Sequence, residues 1–599
     1  MVTSWSAPSR IDALLGRLPR WARLLLSLAA VGLGVVLVTR PTTSLGVLAV
    51  LLGSGLAVLG VLTVAGEVRS TRGGTARVAT GVVMVAAGLF LLVFLGLTVR
   101  LAALVVGVAL VVHGAGQALD AVRGSRPRDE RAAAIMLGLA GVVLGVLALV
   151  WPDVTLLVTS VVLGVRLVVL GVVHGWSAMT GRSRRAGAPR APRPARRWAR
   201  TATAAAAVLL ALAAGGVSLY LRGAAPVVDD FYAAPRLLPG EPGRLIRSEP
   251  FTRDVPPQAR AWRILYTTSH GDGSPAVASA LVVVPRDGAG SWPVVQWAHG
   301  TTGFARQCAP SLLEEPFASG AMFLLPEVLA QGWGLVATDY VGLGTEGPHP
   351  YLVGADSAYA VLDAARAARE LDGADLGLRS VVWGHSQGGG AALWTGGVAS
   401  YYAPDVPLDG VAALAPAANL PGLVATLPDV TGGSVFASFV LSGYAGVYPD
   451  VTWRDYVRPG AQTTVRAIAS RCLSEPGVLV SVLELLALSR DPVITASDPG
   501  TGPLGTRLAE NVPPLTTEAP LLLAQGADDT LITTEIQEEF VDAVCDAGQQ
   551  LDYRTYERRD HVGLVQPDSP LVPDLIAWTH DRFADVPVEP GCLRFGERP

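Results

Sequence analysis

The chain has 599 residues, of which half are hydrophobic and 16% are charged, for a formal net charge of −4. That length exceeds what one hydrophobic core usually fills, so at least two domains are expected. The small net charge hides a basic first third and an acidic remainder, and it implies no nucleic-acid partner.

Residues 1–225 are long apolar runs separated by arginine-rich stretches. Seven candidate spans lie at about 24–39, 45–65, 78–96, 98–118, 132–151, 154–175 and 202–221. Most reach the roughly 20 apolar residues that a bilayer crossing needs. The first is short, and a tight turn at Thr98–Leu101 is expected between the third and fourth. Arginines crowd the N-terminus (Arg10, Arg17, Arg20, Arg23), the segment after span two (Arg69, Arg72, Arg77), that after span four (Arg123, Arg126, Arg128, Arg131), and that after span six, Arg182 to Arg200. The alternate segments hold only Arg40, Arg100 and the stretch Trp151-Pro152-Asp153. Arginine marks the cytoplasmic side, so the N-terminus is expected inside and whatever follows the seventh span outside. The first apolar run opens a series of spans, which does not read as a cleaved signal peptide.

The segment from Pro41 aligns with that from Pro152, and a looser copy runs from Val99 to Gly116. Each copy ends a two-span hairpin, and Gly53, Gly60, Gly164 and Gly171 are placed to let helices approach closely. Three such hairpins resemble the HdeD-like short-repeat membrane family, a resemblance that implies an association with acid resistance. His113 and His174 sit at matching cytoplasmic ends of spans four and six, where interfacial hydrogen bonding and pH sensing are both open. Arg166 lies inside span six and should face a helix bundle or snorkel. The linker 181–200, rich in arginine and proline, suits contact with anionic headgroups.

From about residue 226 the pattern changes to short apolar runs alternating with helical periodicity, an α/β arrangement. Residues 222–250 are proline-rich and read as an irregular tether. Pro293–Ala298 is a strand, followed by His299-Gly300-Thr301-Thr302-Gly303. Ser380–Trp383 is a second strand, running into Gly384-His385-Ser386-Gln387-Gly388 and then a helix-prone stretch. Strand, tight turn with a central serine, then helix is the nucleophile elbow of an α/β-hydrolase. The glycines two before and two after the serine let strand and helix approach, and the helix N-terminus favours developing negative charge. In this fold the acid and then the histidine follow the serine. Leu521–Gly526 reads as a buried strand ending in Gly526-Ala527-Asp528-Asp529, which offers Asp529 as the acid, with Asp528 as the fallback. Two histidines lie beyond Ser386: His561, in a loop after the probable strand 552–557, and His580, on an amphipathic helix face. His561 is the candidate base and His580 a surface residue. The backbone N–H of Thr301 (or Gly300) and that of Gln387 are the candidate oxyanion donors, while His299 reads as a structural hydrogen-bonding group.

The stretch Ala337-Thr338-Asp339-Tyr340-Val341-Gly342-Leu343-Gly344, the helix Ala358–Ala367, the Gln296–Thr301 loop and the elbow together resemble the secretory lipase family of α/β-hydrolases, over roughly 228–598. The resemblance implies a lipase or esterase with a helical cap, a triad on Ser386, Asp529 and His561, and structural roles for Asp339 and Asp363. About a hundred residues separate the strand 411–415 from that at Leu521, far more than a crossover needs. The excess, about 417–513, reads as the cap, with Val478–Ser489 apolar enough to cover an acyl site.

All four cysteines (Cys308, Cys472, Cys545, Cys592) fall in the second part, which suits two disulfides in an oxidising compartment. Three pairings are open; Cys308–Cys472 and Cys545–Cys592 are favoured. All 46 basic residues are arginine, a coding bias that suggests a GC-rich bacterial genome. The reading is therefore an all-α polytopic membrane domain (1–225) followed by a capped α/β-hydrolase domain (226–599). Its function is a membrane-anchored, outward-facing serine ester hydrolase acting on a lipid or small ester, with no metal or cofactor implied. An acyltransferase or peptidase on the same triad remains open, as does a stress- or pH-linked membrane protein with a non-catalytic hydrolase module.

Overall fold

The computed structural model describes residues 19–39, 75–123, 127–180, 194–223, 225–288, 290–318, 324–475, 479–482 and 494–598, with positions 54, 57, 61 and 64. The chain divides into two compact units. One is Met1–Gly223 with Val457–Thr464 and Leu483–Ile494; the other is Ala224–Tyr456 with Val465–Val482 and Thr495–Pro599.

The first unit is helical: α1 (Arg20–Thr39), α2 (Thr75–Val93), α3 (Leu95–Arg123), α4 (Arg128–Val150), α5 (Pro152–Thr180) and α6 (Pro194–Gly223). Among the described residues, five helical segments are long and apolar enough to cross a membrane. Of the expected second span only positions 54, 57, 61 and 64 are described, and Gly53 and Gly60 lie outside the described residues. One expectation is corrected. Thr98–Leu101 form no turn but lie inside α3, and α2 and α3 are separated by Phe94 alone, whose N–H still bonds the Phe90 carbonyl at 2.9 Å. No glycine or proline breaks the helix at 98–101, so the helical signal wins. The partners of the close-packing glycines, left open by the sequence, are defined among the described helices. Helix α3 packs on α4, and α5 on α1.

Glycine explains both pairs. A Cβ on Gly164 would lie 2.7 Å from the Gly34 carbonyl oxygen, and one on Gly34 would lie 2.6 Å from that of Gly164. Gly171 meets the Ser27 carbonyl in the same way, at 2.7 Å. In the other pair, a Cβ on Gly138 would lie 2.6 Å from the Gly114 oxygen, and one on Gly145 2.9 Å from that of Gly107. Small residues seven apart on each helix thus bring backbone against backbone, as membrane helices do. The Trp151 indole, at the α4–α5 junction, donates to Ser218 Oγ of α6 at 2.8 Å. His113 and Arg166 are exposed on their helices.

The second unit is built on one ten-stranded sheet: β1 (Leu245–Phe251), β2 (Ala259–Ser269), β3 (Pro275–Pro285), β4 (Trp292–Ala298), β5 (Gly334–Thr338), β6 (Leu376–His385), β7 (Gly410–Leu414), β8 (Leu521–Gly526), β9 (Leu551–Tyr556) and β10 (Cys592–Arg598). Their spatial order is β1-β2-β3-β5-β4-β6-β7-β8-β9-β10. The first three strands and β5 pair antiparallel; from β5 onward every pairing is parallel. Parallel strands are covered on both faces and read as continuous apolar runs, and β5, β7 and β8 are buried at every position. On one face lie α7 (Gly354–Arg369) and α8 (Gln387–Tyr402), whose small residues Ala360, Ala391 and Ala392 pack against Val382, Val411 and Ala413. On the other, Leu571, Leu575 and Trp578 of a late helix, Leu571–Phe583, cover Trp297, Trp383 and Leu414.

Between β7 and β8 the chain makes an insertion whose described helices include Leu420–Thr426, Gly433–Val447 and Gly502–Glu510. Of the apolar stretch Val478–Ser489 only 479–482 are described, and they are helical. The disulfides are Cys308–Cys472, joining the segment after β4 to the insertion, and Cys545–Cys592, joining the helix before β9 to β10.

Candidate active site

Strand β6 ends at His385 and α8 begins at Gln387, so Ser386 is the whole turn. It sits at φ 59°, ψ −118°. A non-glycine residue held there costs on the order of 1–3 kcal/mol, and the surroundings must over-determine it. They do: the Ser386 N–H donates to the Leu414 carbonyl at 2.9 Å, and its carbonyl accepts from Ala417 N at 2.9 Å and Gly390 N at 3.2 Å. The flanking glycines are required by space. A Cβ on Gly384 would fall on the Gly388 carbonyl, and one on Gly388 on the carbonyl of Ala298. Both obstacles are backbone and cannot swing away. Gly388→Ala is therefore expected to destabilise by about 3 kcal/mol, read as a lowered melting temperature in detergent; an unchanged melt would show that β4 yields.

The three candidate catalytic side chains, set on three separate strand ends, meet here. Ser386 Oγ is 2.8 Å from His561 Nε2, and His561 Nδ1 is 2.7 Å from Asp529 Oδ2. Asp529 is buried, and its other oxygen accepts the N–H groups of Leu531 and Ile532, both at 2.9 Å. The Gln525 amide adds a donor to Oδ2 at 3.3 Å. A carboxylate so satisfied is held in one orientation. The fallback Asp528 is exposed, and His580 bonds Gln331 on the surface.

The loop 299–303 lies against the elbow: a Cβ on Gly300 would be 3.2 Å from the His385 carbonyl oxygen and 3.6 Å from Ser386 Cβ. Thr301 follows it, its hydroxyl 2.8 Å from that of Tyr351. The N–H of Gln387, the first of helix α8, has no intrahelical acceptor by position. Both candidate donors therefore border the nucleophile.

Two neighbouring histidines carried no signal in sequence reasoning. His385 is buried, burial and then the nearby His561 push its pKa down to about 3, and its Nε2–H donates to the His561 carbonyl at 2.8 Å. It anchors the backbone of the candidate base. His349 is buried too and bonds the Gln387 side chain at 3.0 Å. A histidine inside the elbow pentapeptide was the available hint for the first; nothing in the sequence marks the second. His299 is buried, with a pKa lowered to about 4 by desolvation, and bonds the Gly300 carbonyl. Asp339 accepts from Ser279 Oγ, Ser311 Oγ and Ser311 N, while burial raises it to about 6. Asp363 accepts from Thr268, Tyr402 and Arg366. The two aspartates thus tie strands to neighbouring loops and helices.

The parallel sheet, the elbow after β6 and the helical insertion after β7 define an α/β-hydrolase fold. Closed-state lipase A of Candida antarctica superposes with a TM-score of 0.50 at 20% identity, over 61% of this chain and 87% of that one. The secretory lipase family model matches residues 316–591, and the model of a short repeat of unknown function (DUF308) matches 79–141 and 136–190. Both resemblances read from the sequence stand, each for its own part of the chain. Lipase 6 of Candida albicans is 29% identical over 42% of this chain, which spans 57% of that protein's length. Secreted triacylglycerol lipase LIP4 of Malassezia globosa is 26% identical over 64% of this chain and 87% of its own length. A protein of Mycobacterium tuberculosis named a probable inactive lipase is 25% identical over 61% of this chain and 83% of its own. The C-terminal part thus has the α/β-hydrolase fold and is similar to lipases, and the N-terminal part carries, among the described residues, apolar helices long enough to span a membrane.

Proposed function

We propose that the protein is a membrane-anchored serine ester hydrolase whose catalytic domain, from about residue 226, faces away from the cytoplasm. The observation that carries this reading is the continuous chain Ser386 Oγ, His561 Nε2, His561 Nδ1, Asp529 Oδ2, with links of 2.8 and 2.7 Å. Ser386 attacks the ester carbonyl as His561 Nε2 takes its proton; Nδ1–H, held by Asp529, keeps the imidazole in the tautomer that can accept it. The oxyanion is met by backbone N–H groups of Thr301 (or Gly300) and Gln387, each worth on the order of 3 kcal/mol. His561 then protonates the leaving alcohol, and water repeats the cycle on the acyl-enzyme. The lipase relatives favour a lipid or small ester over an amide. The outward orientation is supported by eight arginines between 182 and 200, before the last apolar span, Thr201–Leu221, against Arg222 just after it.

The relative named inactive raises a second reading, a hydrolase module that binds without turning over. The intact hydrogen-bonded triad opposes it. A membrane-impermeant fluorophosphonate added to intact cells is expected to modify Ser386, located by mass spectrometry, with turnover of p-nitrophenyl esters in the same preparation. Modification only after lysis would overturn the orientation. No modification at all would favour the non-catalytic reading. Ester turnover by an acyl donor that is quenched by added alcohols into new esters would instead mark an acyltransferase.

A further inference from the structure

The two candidate oxyanion donors come from different connections, one after β4 and one after β6. A third connection, after β5, touches both. Strand β5 is the neighbour of β4, which in turn neighbours β6, so the segment leaving β5 lies over the same sheet end. Within it, His349 and Tyr351 are almost fully buried, at 1% and 3% exposure. His349 Nδ1 lies 3.0 Å from the Val341 carbonyl, and its Nε2 3.0 Å from Gln387 Nε2. A carbonyl can only accept, so Nδ1 carries the proton; Nε2 must then accept, and the Gln387 amide donates. Burial lowers the His349 pKa to about 3, which keeps this neutral tautomer at ordinary pH. On the other side, the Tyr351 hydroxyl is 2.8 Å from Thr301 Oγ1. The His349 and Tyr351 rings meet edge to face with centroids 6.0 Å apart.

The segment is itself held. Gly342 at φ +79° lets the chain fold back so closely that a Cβ there would meet the His349 backbone nitrogen at 2.5 Å. The helix Gly433–Val447 of the insertion seats on it, a Cβ on Gly443 falling 3.0 Å from Tyr351 Cβ and one on Gly446 2.8 Å from that of Pro348.

We infer that His349 and Tyr351 are positioning residues that brace the oxyanion hole, the imidazole fixing Gln387 and the phenol fixing Thr301. The inference rests on the proposed esterase reading, since it assigns those two residues as donors. Neither side chain touches substrate. Their effect is to hold two backbone N–H groups at a set separation, a demand that belongs to the transition state and not to ground-state binding.

Kinetics on the full-length protein in detergent test it. Tyr351→Phe, which removes one oxygen and keeps the ring, and His349→Leu are each expected to lower kcat for a p-nitrophenyl ester by about 10- to 100-fold, less than loss of a whole donor, with KM within about twofold. Gln387→Leu keeps the backbone N–H but not the amide, so it should match His349→Leu, and the double variant should lose little more. His349→Gln, whose side-chain carbonyl can still accept from Gln387, should recover part of the loss. Full kcat in Tyr351→Phe and His349→Leu would overturn the brace, as would losses at 349 and 387 that multiply or a KM that rises in step with the fall in kcat. Those results leave the esterase reading intact provided the wild type turns over; a wild type that neither hydrolyses esters nor takes up fluorophosphonate removes the reading and the brace together.

Discussion

Ser386→Ala is expected to lower kcat for p-nitrophenyl esters by about 10⁶-fold while leaving the protein folded, since removing the nucleophile of such a triad abolishes nearly all that the unit contributes. Alanine tolerates φ 59° no better than serine, so the strain of the turn stays and the hydrogen bonds of Ser386 N–H and C=O to β7 and the loop after it are untouched. Undiminished turnover would sink the assignment outright. Ser386→Gly separates the two properties of this position. It should be equally inactive, yet more stable by about 1 kcal/mol, because glycine adopts positive φ without penalty. A melting temperature that rises as activity vanishes would show the turn being held strained for the sake of the hydroxyl.

Asp529→Asn should lower kcat by about 10⁴-fold, with the geometry nearly unchanged. The direction follows from the contacts. Leu531 N and Ile532 N both donate to Oδ1, so an asparagine would place its carbonyl oxygen there. Its NH₂ would then face His561 Nδ1, which must become the acceptor, and the ring proton moves to Nε2, opposite Ser386. A ring nitrogen that already carries a proton has no lone pair left with which to take the serine's. Asp528→Asn is the control, since Asp528 is exposed and outside the chain of hydrogen bonds; its kcat should stay within about twofold. Equal losses at 528 and 529 would point to damage of the loop and not of the triad.

The parts of the site visible in the sequence are those under hard local constraint. The elbow shows because a serine at positive φ between a strand and a helix needs Gly384 and Gly388, whose replacements have no room. Asp529 and His561 show because each follows a strand marked by its apolar run, and because chain order in this fold leaves few choices. Gly164 and Gly171 were legible as close-packing positions for the same steric reason, but their partner was not: small residues seven apart on several helices fit more than one neighbour, and α5 chose α1. The Thr98–Leu101 turn failed because span length, and no breaker residue, was its only support. His349 and Tyr351 lay hidden for a different reason. A buried imidazole and phenol in an irregular loop leave no periodic trace, and their meaning appears only when β4, β5 and β6 are set side by side.

The cystine between residues 308 and 472 closes a span of 164 residues and sits just beyond the Thr301 loop, where Thr302 accepts from Leu473 N at 2.8 Å and bonds the Cys308 carbonyl at 2.7 Å. Synthesis must therefore run well past the elbow before that loop can be pinned, and thiol oxidation must follow. On the proposed topology the ribosome's side of the bilayer is reducing, so a chain that stalls in transit would stay unclamped there. The anchor and the cross-link would together act as a timing device, deferring hydrolytic competence until export is complete and sparing the cell's own esters during biogenesis.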